Sequence, residues 1–195
     1  SDAYGWLQIL KNDDRFSEVI VIGHSEGSLI GMLAGTSADK FISIAGFGQS
    51  ADLILKEQLG PQPKEVKDLS FPIIDSLKNG NIVDSVPPIL NSLFRQSVQP
   101  YMISWFRYDP RVEISRLSVP ILIIQGTNDI QVGVENARQL SDANPGAEIL
   151  LINNMNHIFR ITEGDRMANL ATYSNINLPV SEELVSSVTS FILRD

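Results

Sequence analysis

Glu18-Val19-Ile20-Val21-Ile22-Gly23-His24-Ser25-Glu26-Gly27-Ser28-Leu29-Ile30-Gly31 decides how the chain is read. Four consecutive β-branched residues, Val19 to Ile22, suit a parallel strand covered on both faces. The apolar run at 29–34 suits a helix packed on the resulting sheet. Between them, Gly23-His24-Ser25-Glu26-Gly27 matches G-x-S-x-G, a strand-to-helix turn that holds a serine on strained backbone with its hydroxyl raised above the sheet. Side chains at Gly23 and Gly27 are expected to clash where strand and helix close on each other. The helix start also leaves free N–H groups, that of Glu26 among them, for a developing oxyanion.

Outward from this turn, strands and helices alternate. Residues 4–11 carry Trp6, Leu7, Ile9 and Leu10 at helical spacing, and 41–45 form a second strand candidate. Strands follow at 119–124 and 148–152, with a helix at 133–141 between them. A last helix spans 181–193, where Ser181 can cap and Glu182 and Glu183 favour the positive end. This order predicts an α/β protein, a parallel sheet flanked by helices, with reactive groups at the carboxyl ends of the strands.

Residues 49–118 break the rhythm, because a strand-to-helix connection is normally short. Helical patterns at 51–59, 64–77 and 89–106 are punctuated by Pro61, Pro63, Pro87 and Pro88, and the stretch ends in Tyr101, Trp105, Phe106 and Tyr108. It reads as a helical lid insertion in a core made of 1–48 and 119–195. Packing is the commoner use of such aromatics, and some of them could also line a pocket.

Composition narrows the partners. The formal charge is −8, from 15 basic and 23 acidic residues with no basic cluster, which disfavours nucleic acid and anionic membranes. There is no cysteine, so thiol catalysis and disulfides are excluded and the redox compartment stays open. No apolar run reaches membrane-spanning length.

A serine hydroxyl needs a base. The chain has two histidines. His24 sits inside the turn and does not easily fold back onto the hydroxyl, so His157, in the polar loop 153–179, is the expected base. An imidazole base needs a carboxylate to set its tautomer. Asp129, directly after the third strand in Gln125-Gly126-Thr127-Asn128-Asp129, fits best; Asp109, Asp142 and Glu135 are weaker candidates, and a turn aspartate also serves local hydrogen bonds.

Gly23-His24-Ser25-Glu26-Gly27, Gly126-Thr127-Asn128-Asp129 and Asn156-His157 together resemble the α/β-hydrolase superfamily. The run from Tyr108-Asp109-Pro110-Arg111 to Val132 is similar to bacterial lid-bearing serine hydrolases of the serine-aminopeptidase-like and esterase group. The resemblance implies a nucleophile Ser25, an acid Asp129, a base His157 and an oxyanion donor at the Glu26 amide. It implies a small-molecule ester or acyl substrate, with neither cofactor nor metal. That family normally carries further strands before the elbow strand, so the chain matches the carboxyl-terminal half of the fold. The strand at 19–22 is then expected at a bare sheet edge, to be covered by a preceding segment or by a second copy in a homodimer. With one oxyanion donor of the usual pair, weak activity is expected.

Overall fold

The computed structural model describes residues 2–194. The chain divides into two units, one of residues 1–48 and 110–195 and one of residues 49–109.

The first unit is built on a four-stranded parallel sheet in the order β1 (Ile20–His24), β2 (Lys40–Ile44), β3 (Ile121–Gly126), β4 (Glu148–Ile152). The expected α/β architecture is therefore present. Side chains alternate along each strand, so Ile42, Ile44, Leu122 and Ile124 share one face with Ile152, Met155, Leu184 and Phe191. Leu184 and Phe191 belong to α10 (Glu182–Ile192), capped by Ser181, whose Oγ accepts the Leu184 N–H at 3.3 Å. At its other end Lys40 Nζ donates to the carbonyls of Ile192 and Arg194, at 2.8 and 2.6 Å, where a cation suits the helix terminus.

The opposite face meets α2 (Glu26–Ala34) and α8 (Val134–Ala143). Gly31 of α2 lets the helix approach closely: a Cβ there would lie 2.8 Å from the Phe41 ring. Helix α1 (Asp2–Lys11) leads into β1 and contributes Leu7 to a small cluster with Val19 and Ala38.

β1 differs from its neighbours. Every residue of β2 and β3 is buried, whereas in β1 only Gly23 is, and Ile22 is 49% exposed. The reason is position: among the described residues β1 pairs only with β2, at the end of the sheet, so the expected cover on both faces is incomplete.

The second unit has its own apolar core. It comprises α3 (Ala51–Leu59), α4 (Lys64–Lys78), α5 (Asn91–Phe94) and α6 (Gln99–Trp105), with 3-10 turns at Pro88–Leu90 and Gln96–Val98. Ile74, Leu77, Phe94 and Phe106 are fully buried within it. The buried Gln99 amide bonds Val83 N, Val83 O and Phe94 O. The continuous helix expected over 89–106 is broken. Pro100 lacks an N–H and would clash with the preceding turn, so the helix restarts with proline in its first turn. Helix α7 (Pro110–Ser115), expected inside the insertion of 49–118, lies in the first unit and packs on α2 and α8.

Candidate active site

Ser25 occupies the junction of β1 and α2 with φ 55° and ψ −124°, a left-handed conformation costly for a residue with a Cβ. Its N–H donates to Ile44 O at 2.9 Å, anchoring the turn to β2. Gly23 is required: a Cβ there would stand 2.4 Å from Gly27 O and 2.5 Å from Ser28 Cα. Gly27 is not required in the same way. Nothing lies within 4 Å of a Cβ built on it, because it borders the open groove beside β1 with Trp6, Ile22 and Ile30. The expected clash is corrected to one glycine of the pair.

Glu26 opens α2, so its amide belongs to the first turn, whose N–H groups have no intrahelical partner. Burial raises the Glu26 carboxyl above its ordinary value.

The loops that carry Asp129 and His157 leave adjacent strands. After β3 the chain makes Gly126-Thr127-Asn128-Asp129; after β4 it makes Asn153 to His157. They are zipped together by Thr127 N–H to Ile152 O and Asn128 N–H to Met155 O, both 3.0 Å. The approach needs Gly126, since a Cβ there would meet Met155 O at 2.0 Å. Asp129 is fully engaged. Its Oδ1 accepts the N–H groups of Gln131 and Val132 at 2.8 and 2.9 Å. Its Oδ2 accepts Gln125 Nε2 at 3.1 Å and His157 Nδ1–H at 2.8 Å. The two side chains are 1% and 6% exposed, so their bond is shielded from water. With the proton on Nδ1, the lone pair of His157 lies on Nε2. The four groups facing Asp129 are all donors, and the carboxylate in turn fixes the imidazole tautomer.

Ser25 and His157 come from opposite ends of the four-strand order, and His24 spans the difference. Its Nε2–H donates to His157 O at 3.0 Å, its ring centroid is 4.8 Å from that of His157, and the edge of Phe159 meets it at 4.6 Å. Burial first, then the neighbouring His157, lowers the His24 pKa, which favours the neutral donor. Among the described residues, Ser25 Oγ and His157 Nε2 are not hydrogen-bonded to each other; the turn reaches the His157 loop through His24. Position in the turn shows only that His24 does not easily return to the serine; its bond to the other loop is non-local.

The segment 153–179 also differs from the expected polar loop. It contains α9 (Arg166–Ala171), capped by Asp165, and a 3-10 turn at Thr172–Ser174. Buried Asn156, Asn169 and Thr172 lie behind the site. Among the described residues no group of three or more His, Cys, Asp and Glu has a metal-binding arrangement.

Comparison with known proteins fits this geometry. No family model matches the chain. It is 26% identical over 179 residues to the esterase EstD of Thermotoga maritima, covering 84% of this chain and 40% of EstD. A hydrolase from Pseudomonas aeruginosa PA01 superposes with TM-score 0.54 at 15% identity, over 99% of this chain and 70% of that one. The bromoperoxidase from Bacillus anthracis superposes with TM-score 0.54 at 16% identity, over 98% and 71%. The chain has the α/β-hydrolase fold. In an α/β-hydrolase sheet, the carboxyl ends of the strands form the functional rim, and here the elbow follows β1 while the Asp129 and His157 loops follow β3 and β4. The chain spans two fifths of the length of EstD.

Proposed function

We propose that the chain carries the catalytic groups of a serine hydrolase that cleaves a small-molecule ester through an acyl-enzyme. The observation that carries this reading is the water-shielded His157–Asp129 pair, 2.8 Å from Nδ1 to Oδ2, joined through His24 to a serine on strained elbow backbone. The likeness to an enzyme described as an esterase supports the ester as substrate class.

The steps follow from the groups. Asp129 holds the proton on Nδ1, so Nε2 takes the Ser25 hydroxyl proton as Oγ bonds the acyl carbon. Negative charge collects on the former carbonyl oxygen, where the Glu26 N–H is a preorganised donor. His157 then returns the proton to the departing alcohol as the ester C–O bond breaks, leaving acyl-Ser25. A water repeats the sequence: His157 accepts its proton, the acyl–Oγ bond breaks, and Ser25 recovers its hydrogen. One such oxyanion donor is worth about 10²–10³ in rate.

A fluorophosphonate probe tests the reading. The expected result is covalent labelling at Ser25, found by peptide mass spectrometry and absent in Ser25→Ala. A folded wild-type chain that stays unlabelled at Ser25 overturns it.

A further inference from the structure

His157 and Asp129 are held by loops 28 residues apart in sequence, and a 2.8 Å bond between them tolerates little drift. Behind the pair lies a chain of buried amides. Asn169 is fully buried, Asn156 is 1% exposed and Thr172 8%. Asn169 Nδ2 donates to Asn128 O at 2.6 Å, the carbonyl immediately before Asp129. Asn156, immediately before His157, donates from Nδ2 to Thr172 Oγ1 at 2.7 Å and to Asn169 Oδ1 at 3.3 Å. Thr172 Oγ1 donates its own hydrogen to Asn169 O at 2.7 Å, so a lone pair remains to accept Asn156. Asn156 Oδ1 accepts Ile158 N–H and Arg160 N–H, at 3.2 and 2.9 Å, which closes the turn around the imidazole. Asn128 completes the circuit, with Nδ2 donating to Thr162 O at 2.9 Å.

We infer that Asn156, Asn169 and Thr172 are positioning residues that set the spacing between the acid and the base. One side of Asn169 grips the residue before Asp129, and the other grips the residue before His157. Both loops are thereby referenced to the same short helix, α9. Each amide hydrogen and lone pair of Asn156 has a partner, so rotation of that side chain would leave buried groups unpaired. A network satisfied this completely has one low-energy arrangement, which is the property a positioning device needs. The inference rests on the proposed function for its effect on rate, but not for its effect on the His157–Asp129 bond.

The test uses the whole chain with ¹⁵N-labelled histidine, whose two residues give few signals. Thr172→Val removes the hydroxyl at nearly constant shape; Thr172→Ser keeps it. In Thr172→Val the downfield His157 Nδ1–H resonance is expected to broaden or shift upfield, with kcat on a p-nitrophenyl ester falling about 10–100-fold and KM within about twofold. Thr172→Ser is expected to restore both. A folded Thr172→Val chain with the wild-type resonance overturns the inference. If wild type hydrolyses no ester while the resonance still responds to Thr172→Val, the proposed function fails and the positioning role stands. If Thr172→Val does not fold, Asn169→Asp replaces it, exchanging the donor to Asn128 for an acceptor in the same shape. Failure of both to fold overturns the inference, because the cluster would then serve the fold and not the pair.

Discussion

The two ends of the reactive rim are held by different means. At the β3–β4 end, Asp129 and His157 are fixed by side chains: both oxygens of the carboxylate are engaged, and buried amides back each loop. At the β1 end, Ser25 is fixed by backbone: a left-handed residue, an amide bonded to Ile44 O, and a glycine through which the helix passes. The first arrangement makes position depend on polar partners that can be exchanged one atom at a time. The second makes it depend on space, where a single methyl group is decisive. Variants should therefore fail differently at the two ends, in chemistry at one and in folding at the other.

The largest effect is expected at the polar end. Asp129→Asn preserves the shape and leaves one carbonyl oxygen to accept the Gln131 and Val132 N–H groups. The other atom becomes an NH₂ that faces two donors, Gln125 Nε2 and His157 Nδ1–H. The imidazole must change tautomer or turn away, and kcat should fall by about 10⁴, as for loss of a triad carboxylate elsewhere. Thermal unfolding should move far less. Ester turnover within tenfold of wild type would show that the carboxylate does not set the tautomer.

At the backbone end the glycines of the motif separate. Gly23→Ala drives a methyl to 2.4 Å from Gly27 O, and neither partner can give way without displacing the turn. A loss of more than about 3 kcal/mol is expected in urea unfolding. Gly27→Ala meets open space, and alanine in a helix is worth about 0.5–1 kcal/mol over glycine, so this variant should be as stable as wild type or more so. Comparable losses for the two would mean that the groove beside β1 is closed where it is drawn open.

Much of this was legible before any coordinates. The strand of Val19 to Ile22, the G-x-S-x-G turn and the later apolar runs specify a parallel sheet, because their patterns are local. Serine, aspartate and histidine also stand out by type, each just past a strand. What stayed hidden is non-local. The residues of β1 read as a buried strand; its edge position is expected only from the resemblance and is recorded by no signal within those residues. Helix α9 is six residues long and its large apolar side chains, Met167 and Leu170, are exposed; its capping signal is Asp165, whose Oδ1 accepts Met167 and Ala168 N–H at 3.0 Å. Asn169 and Thr172 look like loop residues because their partners are 41 and 16 positions away. The bond of His24 is hidden for the same reason: its partner is His157, 133 residues on.

That bond between the two ends supplies the smallest expected effect. His24 is half-buried and keeps its proton on Nε2 to meet His157 O; the titratable groups facing it are His157 and Asp129. Burial lowers its pKa in the fold, so the unfolded chain binds a proton more readily than the folded one. Its contribution is therefore fully present above its ordinary value of 6.5 and is lost as pH falls from there through the lowered value. Glu26 runs the other way: its pKa is raised, so its contribution is complete below its ordinary value of 4.5 and is lost as pH rises through the raised one. His24→Gln keeps an amide donor and cannot titrate. Compared with wild type, its unfolding free energy should fall less as pH drops below 6.5, while the difference above that pH stays constant. Parallel stability curves for the two proteins through the acid range would mean that His24 is protonated as easily in the fold as out of it, and that the elbow is not tied to the base loop by a neutral ring.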